Sequence, residues 1–286
     1  MTTSNDFVLT LTCPDQPGIV HEVSGFVVSS GGNIVESAQF WDRGTDTFAM
    51  RLHFEVPDAG LGSGALRDAF AAIADKFSMN CEIHNLRRKS RVLIMVSKFD
   101  HCLLDLLYRY RIGELNMEVP AVVSNHPDVA ELVAARKVPF FHFPVTQDTK
   151  REQEQQVRDL IARENIDFIV LARYMQILSE EFCEDFAGRV INIHHSFLPG
   201  FKGARPYHQA YERGVKLIGA TAHYATADLD EGPIIEQDVS RVTHAQGPEQ
   251  LAGVGRDVEM RVLARAVRFQ AEHRVMLNGS KTIVFE

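Results

Sequence analysis

Apolar and polar residues at the start of the chain alternate with a period of two, with Phe7, Leu9 and Leu11 on one side and Thr10 and Thr12 on the other. That pattern suits a half-buried strand. The period then changes. Pro17 stands where a first helical turn begins, and Ile19, Val20, Val23, Phe26 and Val27 recur at helical spacing until Gly31-Gly32 ends the run. Two further period-two runs, Ile34 to Trp41 and Phe48 to Phe54, flank the turn-rich Asp42-Arg43-Gly44-Thr45 and predict a hairpin. Leu66, Phe70, Ile73 and Phe77 predict a second amphipathic helix, and Met79 to His84 a short closing strand. The order is βαββαβ, a ferredoxin-like sheet with two helices over one face.

From Ser90 short apolar runs alternate with helical stretches. Strands are expected at Val92 to Val96, Val119 to Val123, Phe140 to His142 and Phe168 to Leu171, with helices near Cys102 to Tyr110, Asp128 to Arg136 and Glu152 to Arg163. This is α/β, Rossmann-like, with a mainly parallel sheet whose ligands gather at the carboxyl ends of the strands. The expected division is a first domain over 1–85, a linker over 86–90 and a second domain over 91–286. The basic run Arg87, Arg88, Lys89 and Arg91 falls at that junction and reads as a solvated connector.

With 286 residues, 45% hydrophobic and 24% charged, the chain can bury two ordinary cores. A formal charge of −8 argues against broad contact with nucleic acid or an anionic membrane, since both demand a basic face. No apolar run approaches the roughly 20 residues that span a bilayer. The polar start Thr2-Thr3-Ser4-Asn5-Asp6 lacks the layout of a signal peptide, so a cytoplasmic location is expected. Cys13, Cys81, Cys102 and Cys183 are scattered and read as reduced and mostly buried.

The chemistry concentrates in Ile191-Asn192-Ile193-His194-His195-Ser196-Phe197-Leu198-Pro199. Residues two apart on a strand share a face, so Asn192 and His194 present an amide and an imidazole together, and His195 is expected to point the other way. Downstream, Gly219 to Tyr224 reads as another strand, followed by the tight loop Asp228-Leu229-Asp230-Glu231-Gly232-Pro233. An amide, an imidazole and a carboxylate on neighbouring strand ends suit attack on a carbonyl. Taken singly, Asn-x-His is more often a structural pair and Asp230 more often a turn former. A metal set of His194, His195, His208 and His223 matches in residue type, yet adjacent strand residues diverge and no zinc-type spacing occurs; no metal is expected. His195 and His208 read as structural or substrate-positioning groups.

Leu11-Thr12-Cys13-Pro14-Asp15-Gln16-Pro17-Gly18-Ile19-Val20 resembles the opening of an ACT domain, a small amino-acid-sensing module. Gly18 there serves either as a tight turn or in binding an effector. From about residue 90 onward, Asn-x-His followed by Leu-Asp-x-Gly-Pro is similar to the folate-dependent formyl transferases. That resemblance implies Asn192, His194 and Asp230 as the catalytic set, with His223 and Gly232 beside the substrate. Leu171-Ala172-Arg173-Tyr174-Met175-Gln176-Ile177-Leu178-Ser179 resembles the family's turn for the pterin ring, which implies substrate contacts from Met175, Gln176, Ile177 and Leu178; the alternative is that these residues fill core. A folate is then the substrate, and no cofactor is implied.

Family members with a phosphorylated glycinamide acceptor carry a Gly-Asn-Gly-Ser type loop, where this chain has Ser97-Lys98-Phe99-Asp100-His101-Cys102. Members that act on methionyl-tRNA carry a basic C-terminal extension, whereas this acidic chain ends soon after the helix-like stretch Asp257 to Glu272. The similarity to the hydrolytic branch of the family runs through Gly203-Ala204-Arg205-Pro206-Tyr207-His208-Gln209-Ala210-Tyr211, leaving Arg205 and His208 as either substrate or interface residues. It implies hydrolysis of 10-formyltetrahydrofolate to formate and tetrahydrofolate, supplying formate for purine biosynthesis and balancing one-carbon pools. The rivals are formyl transfer to an unrecognised amine and an ACT-type sensor with an inactive catalytic half. The ACT resemblance further implies a homodimer or homotetramer that responds to glycine or methionine.

Overall fold

The computed structural model describes residues 4–57, 62–200 and 206–286. These residues form two compact units: 1–89 with 272–286, and 90–271.

The first unit opens with β1 (Ser4–Pro14), α1 (Ile19–Ser29), β2 (Asn33–Asp42), β3 (Thr47–Pro57), α2 (Ser63–Lys76) and β4 (Asn80–Asn85). The strands pair antiparallel in the order β2-β3-β1-β4, as the βαββαβ pattern requires. Phe7, Leu9 and Leu11 of β1 meet Val23 and Phe26 of α1 and Leu66 and Phe70 of α2 in one core. The Phe26 ring stands edge-on to both Phe54 and Phe70, the geometry that aromatic quadrupoles favour. Gly18 caps α1 at φ 99°, a left-handed conformation that explains the glycine as a turn residue.

The second unit contains β5 (Ser90–Val96), α3 (His101–Ile112), β6 (Met117–Ser124), α4 (Ala130–Ala134), β7 (Phe140–His142), α5 (Lys150–Glu164), β8 (Phe168–Leu171), α6 (Glu180–Asp185), β9 (Val190–His194), α7 (Pro206–Glu212), β10 (Leu217–Tyr224), β11 (Ile234–Arg241) and α8 (Pro248–Ala271). Its sheet runs β11-β10-β9-β8-β5-β6-β7. The β9-β8-β5-β6-β7 pairings are parallel, and β10 and β11 are antiparallel. Strand order reverses at β5, so the chain leaves β5 and β8 in opposite directions and opens a crevice at their carboxyl ends. Arg91, expected in the connector, is a β5 residue: its guanidinium reaches Glu118 at 3.0 Å and the Glu164 carbonyl at 2.6 Å.

After α8 the chain returns to the first unit as the hairpin β12 (Val275–Asn278) and β13 (Lys281–Val284). Met276, Ile283 and Phe285 pack with Ala49 of β3. Buried Arg51 pairs with Glu36 at 2.9 Å and donates to the Glu272 and His273 carbonyls. The sequence division had assigned 272–286 to the second domain; four-residue strands carry too short a pattern to announce a partner more than 200 positions away.

Candidate active site

β9 and β10 pair so that Asn192 lies directly across from His223. The His223 Nδ1 is 2.9 Å from the Tyr224 carbonyl, which can only accept, so this nitrogen carries the proton. The Nε2 is then a lone pair, and it accepts from Asn192 Nδ2 at 3.2 Å. Burial lowers the His223 pKa most strongly, and its carbonyl bond and the Asp230 charge offset this only in part, so the ring stays neutral. Neutral His223 thereby fixes which way the Asn192 amide faces.

Asp230 enters from the loop after β10 at φ 59°. Gly232 is what lets that loop close, because a Cβ there would collide with the Tyr224 carbonyl. Asp230 Oδ1 lies 3.0 Å from His194 Nδ1 and 3.8 Å from His223 Nε2. Burial raises the Asp230 pKa, but the bond from His194 and the neighbouring imidazoles lower it further, leaving it below its ordinary value. The carboxylate therefore accepts the His194 Nδ1–H. The opposite nitrogen of His194, Nε2, is buried and has no partner among the described residues.

Asn192, His194, His223 and Asp230 line a cavity of about 590 Å³. Met175, Gln176, Ile177 and Leu178 line it too, with Met175 53% and Ile177 61% exposed. Those two are cavity wall rather than core filling, whereas Leu178 also packs against the second unit's core. Gly232 does not reach the wall; its role is backbone closure. His195 departs from the expectation that it turns away. The strand ends at His194, so alternation no longer applies, and the two rings lie 5.0 Å apart beside the same cavity. Burial and the Arg173 charge lower the His195 pKa to about 4. His208 is exposed at the cavity wall, and Gly203, Ala204 and Arg205 lie outside the described residues.

Several site residues carried no motif. Ser97, at the end of β5, donates to Asn125 at 2.7 Å and accepts from the Met175 amide at 2.9 Å. Buried Glu154 holds the far end of the same turn through the Ser179 amide and hydroxyl. The 175–178 turn is thus pinned at both ends over the strand-order reversal. A second group surrounds Glu259, which is 1% exposed on α8. Its Oε2 accepts from His101 Nε2 at 2.8 Å and ion-pairs with Arg173 at 3.5 Å, while Oε1 accepts from Tyr207 at 2.5 Å. Burial raises the Glu259 pKa, but these partners more than reverse that. A carboxylate among Val258, Val262 and Leu263 was the available sequence signal.

His101, Cys102 and Glu259 also bring possible metal-ligand atoms within 4.8 Å of one another. Their chemistry opposes a cation: the Glu259 oxygens are engaged, the Arg173 charge is adjacent, and burial pushes the Cys102 thiol well up. Among the described residues, His194, His195, His208 and His223 form no such group.

A doubly wound sheet presenting an amide, an Asp-oriented imidazole and a flat apolar slot at its strand ends is the framework of a formyl-transfer enzyme. Residues 90–267 match the formyl transferase family model. Formyltetrahydrofolate deformylase of Corynebacterium sp. (strain P-1) is 49% identical over 97% of both chains. The crystal structure of formyltetrahydrofolate deformylase from Burkholderia mallei superposes with a TM-score of 0.94 at 52% identity, covering 99% of this chain and 100% of that one. Glycinamide ribonucleotide transformylase 1 from Symbiobacterium toebii shares the second unit's fold, with a TM-score of 0.65 at 27% identity over 69% of this chain and 95% of that one. The chain belongs to the formyltetrahydrofolate deformylase family.

Proposed function

We propose that this protein hydrolyses 10-formyltetrahydrofolate to formate and tetrahydrofolate. The observation that carries this reading is the His194–Asp230 pair: both residues line the same cavity as the exposed apolar residues of the 175–178 turn, and the His194 Nε2 is left without a partner among the described residues. The turn takes the pterin, and the formyl carbon lies at His194. The Nε2 lone pair removes a proton from water as the oxygen bonds to the formyl carbon. One N–H of Asn192 is held by His223, and the other stabilises the tetrahedral oxyanion. The imidazolium, paired with ionised Asp230, then returns its proton to N10 as the carbon–N10 bond breaks. In this sequence of steps His194 is the base, and oxyanion stabilisation falls to Asn192.

Incubation of the full chain with 10-formyltetrahydrofolate and no amine should release one formate per tetrahydrofolate. Tetrahydrofolate that appears only when an amine is supplied, with the formyl group on that amine, or no turnover at all, would overturn this assignment. The same reading places the enzyme in one-carbon metabolism, with formate passing to purine biosynthesis. The first unit's ferredoxin-like sheet supports regulation by glycine or methionine in a homodimer or homotetramer. Activity titrations with each amino acid, together with light scattering, test that; a flat response from a monomer would refute it.

A further inference from the structure

Resting on the hydrolytic reading above, we infer that the buried His101–Arg173–Tyr207–Glu259 cluster is a specificity device that keeps primary amines out of the acceptor position and so reserves the formyl group for water.

The same fold serves a glycinamide ribonucleotide transformylase, so the scaffold itself does not dictate water as the acceptor. What the cavity offers an incoming nucleophile does. An amine that approaches the formyl carbon must place its N–H groups on hydrogen-bond acceptors, because a buried polar group without partners costs about 1–3 kcal/mol. Glu259 is a carboxylate on this wall, and both of its oxygens are engaged: Oε1 by Tyr207, Oε2 by His101 and Arg173. Arg173, 9% exposed, also lines this cavity, where its guanidinium disfavours the ammonium form in which a primary amine travels. Water carries no charge for Arg173 to repel and no substituent to accommodate, and it gives its proton to His194 Nε2.

The cluster is built to stay in place. Its members come from α3, the turn after β8, α7 and α8, so it closes the wall from four directions. The phenol end of Tyr207 packs against Gly255, where any Cβ would collide with it, and Glu259 one turn along α8 holds the hydroxyl. His195 connects this wall to the reacting centre, its ring 5.0 Å from that of His194 and 6.3 Å from that of Tyr207. Release of Tyr207 would therefore open space beside His195, the neighbour of His194, and free one carboxylate oxygen to receive an amine. Transfer would then form the bond from amine nitrogen to formyl carbon and break the carbon–N10 bond, with the amine's proton ending on N10.

The test uses the full chain, 10-formyltetrahydrofolate and glycinamide, with formate and N-formylglycinamide quantified by mass spectrometry. The wild type should release formate with negligible formylated amine. In Tyr207→Ala the ratio of formylated amine to formate should rise at least about tenfold, the scale of one group in a specificity pocket, whatever happens to total turnover. An unchanged ratio in that variant overturns the inference, since a merely structural role would lower both products together. Should Tyr207→Ala not fold, Tyr207→Phe decides: it keeps the ring and frees Oε1, and a ratio equal to wild type refutes the idea. A wild type that releases no formate without amine overturns the hydrolytic reading instead, so the two failures are separate.

Discussion

Asp230→Asn isolates the charge that orients His194 while keeping the side chain's shape. At 3.0 Å the carboxylate accepts from His194 Nδ1, and in the proposed mechanism it faces the imidazolium formed as water is deprotonated. In a site with an effective dielectric near 20, a pair of unit charges at that separation is worth about 5 kcal/mol. The amide loses that attraction, and it can also donate to Nδ1, which would move the ring proton to the cavity side. Both effects act on the transition state and scarcely on bound folate, whose proposed pterin wall is the 175–178 turn. We expect kcat to fall by about 10²- to 10⁴-fold, with KM within about threefold. Formate release measured against folate concentration gives both parameters. Asp228→Asn is the control, an exposed carboxylate of the same loop whose carbonyl, not its side chain, accepts from Thr226. A kcat within fivefold of wild type for Asp230→Asn would refute the proposed role of the dyad.

Two further outcomes follow from the geometry. Gly232→Ala places a methyl group in the Tyr224 carbonyl, so the loop must shift and carry Asp230 with it; kcat should drop at least about tenfold with every catalytic side chain intact, alongside about 1–3 kcal/mol of stability lost on urea unfolding, and wild-type values for both would sink the account. His195 titrates at about 4 when folded against 6.5 ordinarily, so the unfolded chain takes up the proton first: its contribution is full above pH 6.5 and is lost as pH falls towards 4. By pH 5 that amounts to about 2 kcal/mol, and His195→Gln should flatten the fall in unfolding free energy between pH 7 and 5 by that amount; an unflattened slope would show that His195 is not buried neutral.

Much of this protein is written in local patterns. Period-two and helical runs announced β1 to β4 and most of the second unit, because a residue's face in a strand or helix depends only on its near neighbours. That Asn192 and His194 share a face was legible for the same reason, being two apart on one strand; their grouping with Asp230 rested on the resemblance of the two motifs, not on periodicity. Other features depend on residues distant in sequence and belong to the tertiary structure. The return of β12 and β13 to the first unit, the lone pair of His223 that turns the Asn192 amide, the hold of Ser97 and Glu154 on the 175–178 turn, and the convergence of His101, Arg173 and Tyr207 on Glu259 carry no periodic trace. His195 marks the boundary between the two: the alternation that placed His194 stops with the strand, and packing alone put the next ring at the same cavity.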